Sequence, residues 1–235
     1  MNMLAHYYAI WDKLHKKLWE YKGKLSSTQI AVLMYHHITD ENIDTDPTCV
    51  CKTEKFVYWL TKYINDGFTF VNVDEAYEII SKSIKGRFAL LTFDDIPDSV
   101  YVNAYPILKK WNVPFVAFIS PNLIDTELYI TKEHLDILVR DPLCTIGAHT
   151  LNHMRLRGCN DSMGEIAESK AVLERMYGIE VSYFAYPYGR HYAVSSKNIR
   201  QTREAGFRLA FGTINTYIND YNKSQKFFLP RIVRN

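Results

Sequence analysis

The sequence lacks the features that mark nucleic-acid-binding and membrane-spanning chains. Its formal net charge is only +2, and no block of like charges occurs, so a nucleic-acid partner is not predicted. No stretch reaches the roughly 18 consecutive apolar residues that a helix needs to span a bilayer. Charged residues also interrupt residues 1–24, so a signal peptide is not predicted and we expect a cytoplasmic location.

Cysteine is scarce, and its spacing excludes the common cysteine-based sites. The four cysteines are Cys49, Cys51, Cys144 and Cys159. Cys49 and Cys51 form C-x-C, which has neither the two-residue gap of a redox motif nor a second pair at zinc-finger spacing. We therefore expect four reduced thiols.

The chain also has no linker-like tract and no internal repeat, so residues 25–235 are predicted to form one domain. Its hydrophobic content of 47% is enough for a buried core. Short apolar runs such as Ile30–Tyr35 and Phe88–Phe93 read as strands that are buried on both faces. Strands and helical patterns alternate about seven times, which predicts an α/β fold with a parallel sheet, open or closed into a barrel.

Residues 1–24 are predicted to form an amphipathic N-terminal helix. Apolar residues recur there at helical spacing, from Leu4 to Tyr21, with lysines between them. Packing against the domain's own surface is the simpler interpretation. Peripheral membrane contact or docking on a partner is the alternative, because Lys and Trp suit an interface.

Ligand-type side chains follow two of the predicted strands. Asp94 and Asp95 end the run Phe88–Phe93, and His149 and His153 follow Cys144–Ala148 in the pattern H-T-L-N-H. The carboxyl ends of the strands are where a (β/α) barrel builds its active site. Two imidazoles and a carboxylate make a catalytic metal set, and a second carboxylate can act as general base.

Each of these motifs has a plainer alternative. The histidines could lie on the surface, and either aspartate could cap the next helix. Adjacent carboxylates repel each other, however, and a metal ion would supply the compensating charge. The H-E-x-x-H pattern of zincin metalloproteases is lacking. The combination therefore predicts a metal-dependent hydrolase of another kind.

A third polar segment, Tyr186-Pro187-Tyr188-Gly189, follows the apolar run Tyr183–Ala185. A rigid turn of this kind can point backbone N–H groups at an oxyanion, and the amide of Tyr188 is the candidate donor. The alternative is a tight turn that carries two surface tyrosines.

The order of these motifs resembles the polysaccharide deacetylase family (carbohydrate esterase family four). The motifs are T-F-D-D at 92–95, H-T-x-x-H at 149–153, F-x-Y-P-Y-G at 184–189, G-F-x-x-A-F at 206–211 and L-P-R at 229–231. The resemblance covers about residues 29–235. It implies a distorted (β/α)7 barrel, here behind the N-terminal helix, that removes N- or O-acetyl groups from an acetylated sugar or oligosaccharide.

The resemblance also implies roles for individual residues. Asp94 would be the general base, and Asp95, His149 and His153 would hold a divalent metal, usually zinc in the family. The Tyr188 amide would help to hold the tetrahedral oxyanion.

Three positions depart from the family pattern. Ile96-Pro97 stands where Gly usually follows the aspartate pair. Ala185 replaces the Arg that orients the base, so Arg231 is the candidate substitute. The last-motif His is absent from residues 227–235.

The first predicted strand offers a substitute for that histidine. Tyr35-His36-His37 resembles the Tyr-His motif of the subgroup typified by bacterial poly-N-acetylglucosamine deacetylases, in which an N-terminal His replaces the general acid. We assign that role to His36, with His37 as the second choice. The alternative is a histidine that only hydrogen-bonds inside the barrel mouth.

Two other functions stay open on the sequence. One is C–N hydrolysis of a small cyclic imide or ureide, because some relatives with this barrel do that. The other is a catalytically weak glycan-binding protein, because the usual Arg and His are absent. A cytoplasmic deacetylase would suit a precursor such as a lipid-linked or nucleotide-linked sugar.

Overall fold

A computed structural model describes residues 3–23 and 26–234, with side chains from residue 7 onward. Within these residues the α-helices are α1 Met3–Gly23, α2 Thr53–Asn65, α3 Val73–Lys82, α4 Tyr105–Trp111, α5 Lys132–Arg140, α6 Ser162–Tyr177 and α7 Ser196–Glu204. The strands are β1 Thr28–Tyr35, β2 His37–Ile38, β3 Val50–Cys51, β4 Thr69–Phe70, β5 Gly86–Phe93, β6 Phe115–Ile119, β7 Cys144–Ala148, β8 Tyr183–Ala185, β9 Leu209–Phe211, β10 Ile218–Asn219 and β11 Ile232–Val233.

The main sheet is parallel along the order β1-β5-β6-β7-β8-β9. β1 and β5 pair over their full length, with Tyr35 opposite Phe93. Residues on both faces of β1 and β6 are buried, because the sheet curls around one apolar core and helices cover its outside. The predicted continuous apolar strands are therefore confirmed.

The C-terminal segment closes the curl between the last and first strands of this order. Leu229 forms a parallel bridge with Phe211 of β9, and β11 pairs in parallel with Leu33 and Met34 of β1. The closure is short, and β10 adds an antiparallel pairing to β1, so the barrel is distorted. The predicted distorted (β/α)7 barrel is confirmed.

Local sequence features account for the ends and the division of two helices. Asp161 caps α6 by accepting from the Gly164 N–H, and Gly178 ends that helix in the left-handed conformation. Residues 100–111 are divided into a π-helical turn at Val100–Ala104 and α4, with Pro106 in the first turn of α4. All four cysteines are free thiols.

One face of α1 packs on the barrel, as the simpler interpretation of residues 1–24 requires. Asp12 and Trp19 are buried, and Asp12 Oδ1 lies 2.5 Å from His191 Nδ1. Arg157 donates to the Tyr8 hydroxyl at 3.1 Å.

The predicted domain boundary between residues 24 and 25 lies outside the described residues. None of the helices in the described ranges has the length and apolar character needed to traverse a bilayer.

Candidate active site

The three predicted metal ligands converge at the carboxyl ends of β5 and β7. Asp95 Oδ1 lies 3.6 Å from His149 Nε2 and 3.2 Å from His153 Nε2. One donor atom from each of the three residues fits within 4.8 Å of the others. These residues come from separate strand ends, and the parallel sheet brings those ends to one edge.

His149 is held ready to act as a ligand. Its Nδ1 lies 2.8 Å from the Ala185 carbonyl oxygen, so the Nδ1–H donates there and the Nε2 lone pair faces Asp95. Burial lowers the pKa of His149 to about 4, which keeps the imidazole neutral at neutral pH. A neutral imidazole with a fixed tautomer is the form that binds a metal.

The donors fit a divalent metal ion. Asp95 Oδ1 is buried, and within residues 7–23 and 26–234 no hydrogen-bond donor satisfies it. Buried carboxylate oxygens are ordinarily satisfied, so this atom calls for a cation. Two imidazole nitrogens and one carboxylate oxygen suit zinc and other first-row divalent ions, and they leave a coordination position open.

Asp94 forms a buried ion pair with Arg231. The two terminal guanidinium nitrogens donate to the two carboxylate oxygens at 2.5 and 2.6 Å, and both side chains are buried. The Arg231 Nε–H donates to the Gly212 carbonyl at 2.9 Å, which fixes the guanidinium plane. Arg231 therefore stands beside the carboxylate in the position proposed for it on the sequence.

The charge state of Asp94 follows from these neighbours. Burial by itself would raise the pKa of Asp94, but Arg231 and then His149 outweigh it and hold the pKa well below its usual range. Asp94 is thus an ionised carboxylate at neutral pH. Its Oδ2 lies 3.9 Å from His149 Nε2, so it borders the cluster of metal ligands.

The turn after β8 brings Tyr188 to the same cluster. The Tyr188 ring lies 5.2 Å from the His153 ring. Thr213 fixes the turn, because its N–H donates to the Gly189 carbonyl and its hydroxyl to the Tyr188 carbonyl. In residues 26–234 no protein acceptor engages the Tyr188 amide. Tyr186 is buried rather than exposed, so the alternative of two surface tyrosines is wrong.

His36 follows β1 at the same edge of the barrel. The Asp94 N–H donates to the Tyr35 carbonyl, so the residue after Tyr35 emerges beside the aspartate pair. The His36 Nδ1 atom is buried, and no partner within the described ranges satisfies it. The electrostatic interaction with His36 is a further, smaller cause of the lowered pKa of Asp94.

His37 borders a neighbouring groove. It lies in β2, pairs with Val50 of β3, and lines a groove of about 240 Å³ together with Thr39 and Asp98. Burial, with His36 second, lowers the pKa of His37, and the nearby Asp95 carboxylate opposes that lowering. Both histidines therefore lie at this edge of the barrel, His36 at the end of β1 and His37 in β2.

Backbone conformation marks the site, and sequence reasoning missed it. Nine described residues other than glycine have a positive φ, and five of them lie in site segments: Asp95, Ile96, Thr150, His153 and Tyr188. Such conformations persist where the surrounding structure holds them, and they gather at functional sites. The Ala185 carbonyl that orients His149 was missed as well, because a backbone acceptor has no sequence signature.

Comparison with known proteins agrees with this geometry. The family model described as polysaccharide deacetylase matches residues 81–223. Among curated relatives, the Bacillus subtilis protein YxkH is 25% identical over 189 residues, which is 79% of this chain and 64% of YxkH. The poly-β-1,6-N-acetyl-D-glucosamine N-deacetylase of Staphylococcus aureus is 25% identical over 168 residues, 63% of this chain and 56% of that protein. The chain thus spans about three fifths of the length of these relatives.

Two solved structures share the fold over most of the chain. IcaB from Ammonifex degensii is 25% identical, has a TM-score of 0.75, and matches 88% of this chain and 92% of its own. The Streptococcus pyogenes deacetylase PplD, solved in complex with acetate, is 22% identical with a TM-score of 0.78 over 88% of this chain and 93% of its own. Because the family model covers more than half of its residues, this chain belongs to the polysaccharide deacetylase family.

Proposed function

We propose that this protein is a metal-dependent deacetylase that hydrolyses N-acetyl groups on a glycan or a sugar precursor. The observation that carries the proposal is the meeting of Asp95, His149 and His153 beside a buried, ionised Asp94. Family membership and the N-deacetylase name of the Staphylococcus aureus relative point to the same bond.

Each neighbouring residue has a task in this reaction. A divalent metal held by Asp95, His149 and His153 would supply the Lewis acidity that polarises an acetyl carbonyl and acidifies water. Asp94 accepts the proton of the attacking water, and Arg231 holds the carboxylate in place for that transfer. The free Tyr188 amide donates to the developing oxyanion.

The departing amine needs a proton, and His36 supplies it. The half-buried imidazole emerges from β1 next to Asp94 and has an unsatisfied nitrogen. A general acid and a general base on different strand ends can act on opposite sides of one bound carbonyl. His37 lies in β2 and faces the neighbouring groove, so it is the weaker candidate.

We propose zinc as the metal. A set of two imidazoles and one carboxylate with an open position is typical of catalytic zinc sites, although other divalent ions accept it too. Metal content measured after purification without added metal, followed by activity with zinc, cobalt and nickel added back, tests this choice. The highest activity with zinc is the expected result.

The structure gives less reason for the hypothesis of a catalytically weak glycan-binding protein. That hypothesis rested on the absence of the usual Arg and His. The pairing of Arg231 with Asp94, and the position of His36 after β1 at the same edge, support substitutes for both. All three ligand positions are also intact. A site that retains base, ligands and acid fits turnover better than binding alone.

Release of acetate from N-acetylglucosamine oligomers, β-1,6- and β-1,4-linked, tests the proposed function. D94N should lower the rate by about 10² to 10⁴ because the general base is lost. D98N is the matched control, since Asp98 is a nearby aspartate that pairs with His134 outside the ligand cluster. Absence of acetate release from either oligomer, together with turnover of a small cyclic imide, would replace this function by the imide hydrolase.

A further inference from the structure

Helix α1 carries an apolar stripe on the side that faces away from the barrel. Its members follow one another at steps of one to four residues along one helix face, and each is between 41% and 73% exposed: Tyr7, Ile10, Trp11, Leu14, Leu18 and Tyr21. The opposite face, with Asp12 and Trp19, is the one buried on the barrel. The stripe is therefore not needed to hold α1 in place.

This concentration of exposed apolar residues stands out within the described residues. Six of the sixteen large hydrophobic residues exposed there lie in the stripe, and the others are spread over the rest of the surface. Single exposed apolar residues are ordinary, whereas a continuous patch marks a surface that binds something.

Positive charge borders the stripe. α1 has four lysines, Lys13, Lys16, Lys17 and Lys22, and two acidic residues, Asp12 and Glu20. Asp12 is turned inward to His191, and Glu20 pairs with Lys16 at 3.7 Å. By helical spacing, Lys13 and Lys17 lie along one side of the stripe and Lys22 along the other. The outer surface of α1 is thus apolar along its middle and cationic at its borders.

We propose that α1 binds the surface of a bilayer that contains anionic phospholipids. A helix with aromatic and aliphatic residues on one face and lysines beside them lies in the interfacial plane of such a membrane. The lysines add electrostatic attraction to anionic head groups. A second copy of this chain is the less favourable occupant, because pairing two α1 helices through the stripe would bring their lysine borders together.

The attachment of α1 relates this surface to the active-site edge. Asp12 contacts His191, which is three residues beyond Tyr188. Lys13, Lys16 and Arg190 line a cleft of about 200 Å³ between the helix and that turn. The Tyr188 turn therefore lies next to the helix that we propose binds the membrane, and, if the proposed deacetylase function is correct, the protein acts on glycans at that surface.

Co-sedimentation with vesicles tests the proposal. The full chain is mixed with vesicles of phosphatidylcholine alone or with added phosphatidylglycerol. We expect binding that depends on phosphatidylglycerol, and a loss of about tenfold or more for the double variant L14E/L18E. K13Q/K17Q should weaken binding by about fivefold per lysine and reduce its sensitivity to salt.

A matched control comes from α2. The exposed fractions of Tyr58 and Ile64 are 56% and 48%, which match the 55% and 48% of Leu14 and Leu18. The variant Y58E/I64E therefore changes an equally exposed apolar surface away from the stripe, and it should bind vesicles like the parent. Circular dichroism verifies that both double variants are folded. Release of acetate from a soluble oligomer should be the same for parent and L14E/L18E, which separates membrane binding from catalysis.

Three results would overturn the proposal. The first is absence of binding to either vesicle by the parent chain. The second is equal binding by L14E/L18E and Y58E/I64E. The third is a concentration-dependent dimer, measured by light scattering, that L14E/L18E abolishes, since that would assign the stripe to a second copy.

Discussion

The buried pair of Asp94 and Arg231 leads to a stability prediction that the structure makes quantitative. Arg231 is fully buried in the segment that closes the barrel, and both of its terminal nitrogens engage Asp94. The variant R231Q removes the cation and leaves the carboxylate buried without its partner. Removal of one member of a buried ion pair typically costs about 3–5 kcal/mol. We expect a decrease of that size in the free energy of unfolding.

A surface pair in the same protein provides the control. Arg208 Nη1 lies 2.8 Å from Asp74 Oδ1, with side chains that are 38% and 60% exposed. Solvent screens such a pair, so R208Q should cost only about 0–1 kcal/mol. The two Arg→Gln variants thus compare a buried ion pair with an exposed one under the same substitution.

Urea denaturation of the metal-free protein, followed by fluorescence, measures both variants under one condition. The double variant D94N/R231Q should recover much of the loss, because neither member then leaves an unpaired buried charge. R231K should fall between parent and R231Q, since lysine keeps the charge but not the bidentate geometry. Equal destabilisation by R231Q and R208Q would refute the reasoning that burial makes this pair essential.

Three further predictions concern the metal, the general acid and acid stability. H149A should weaken zinc binding in calorimetry by at least about tenfold, because one ligand is lost; unchanged affinity would place the metal elsewhere. H36Q should lower the rate of acetate release by about 10² or more without loss of zinc binding, and an unchanged rate would exclude it as the acid. Burial opposes ionisation of Asp141, but hydrogen bonds from Tyr105 and Lys109 outweigh it and lower its pKa. Ionised Asp141 therefore stabilises the folded state fully above the unfolded pKa of about 3.9, and this stabilisation is lost as pH falls through the lower pKa of the folded state. D141N should consequently flatten the dependence of the free energy of unfolding on pH below about 4.

The barrel and the metal ligands were accessible from the sequence because their signals are local. A continuous apolar run such as Phe88–Phe93 indicates a strand buried on both faces, and Asp95 directly follows it. Parallel strands bring their carboxyl ends to one edge, so His149 could be placed near Asp95 without any knowledge of the intervening chain. These inferences require only strand direction and strand ends.

The ion pair was only partly accessible. Arg231 could be named as a candidate cation, but its contact with Asp94 depends on how residues 229–233 close the barrel. That closure rests on one bridge and a two-residue strand, which are too short to produce a periodic pattern. Contacts between residues 137 positions apart are set by such tertiary closure and not by local preference.

The conformation at Ile96 could not be inferred from its residue type at all. A β-branched residue disfavours positive φ, yet Asp95 and Ile96 have φ values of 62° and 44°. Buried packing of the Ile96 side chain, and the Ile130 N–H that donates to its carbonyl, hold the segment there. The turn lets Asp94 face Arg231 while Asp95 faces the histidines. Strain of this kind costs about 1–3 kcal/mol per residue, which the core must offset, and a glycine would avoid it. The positive φ thus separates the directions of two adjacent carboxylates, and the buried packing of Ile96 holds a conformation that its residue type disfavours.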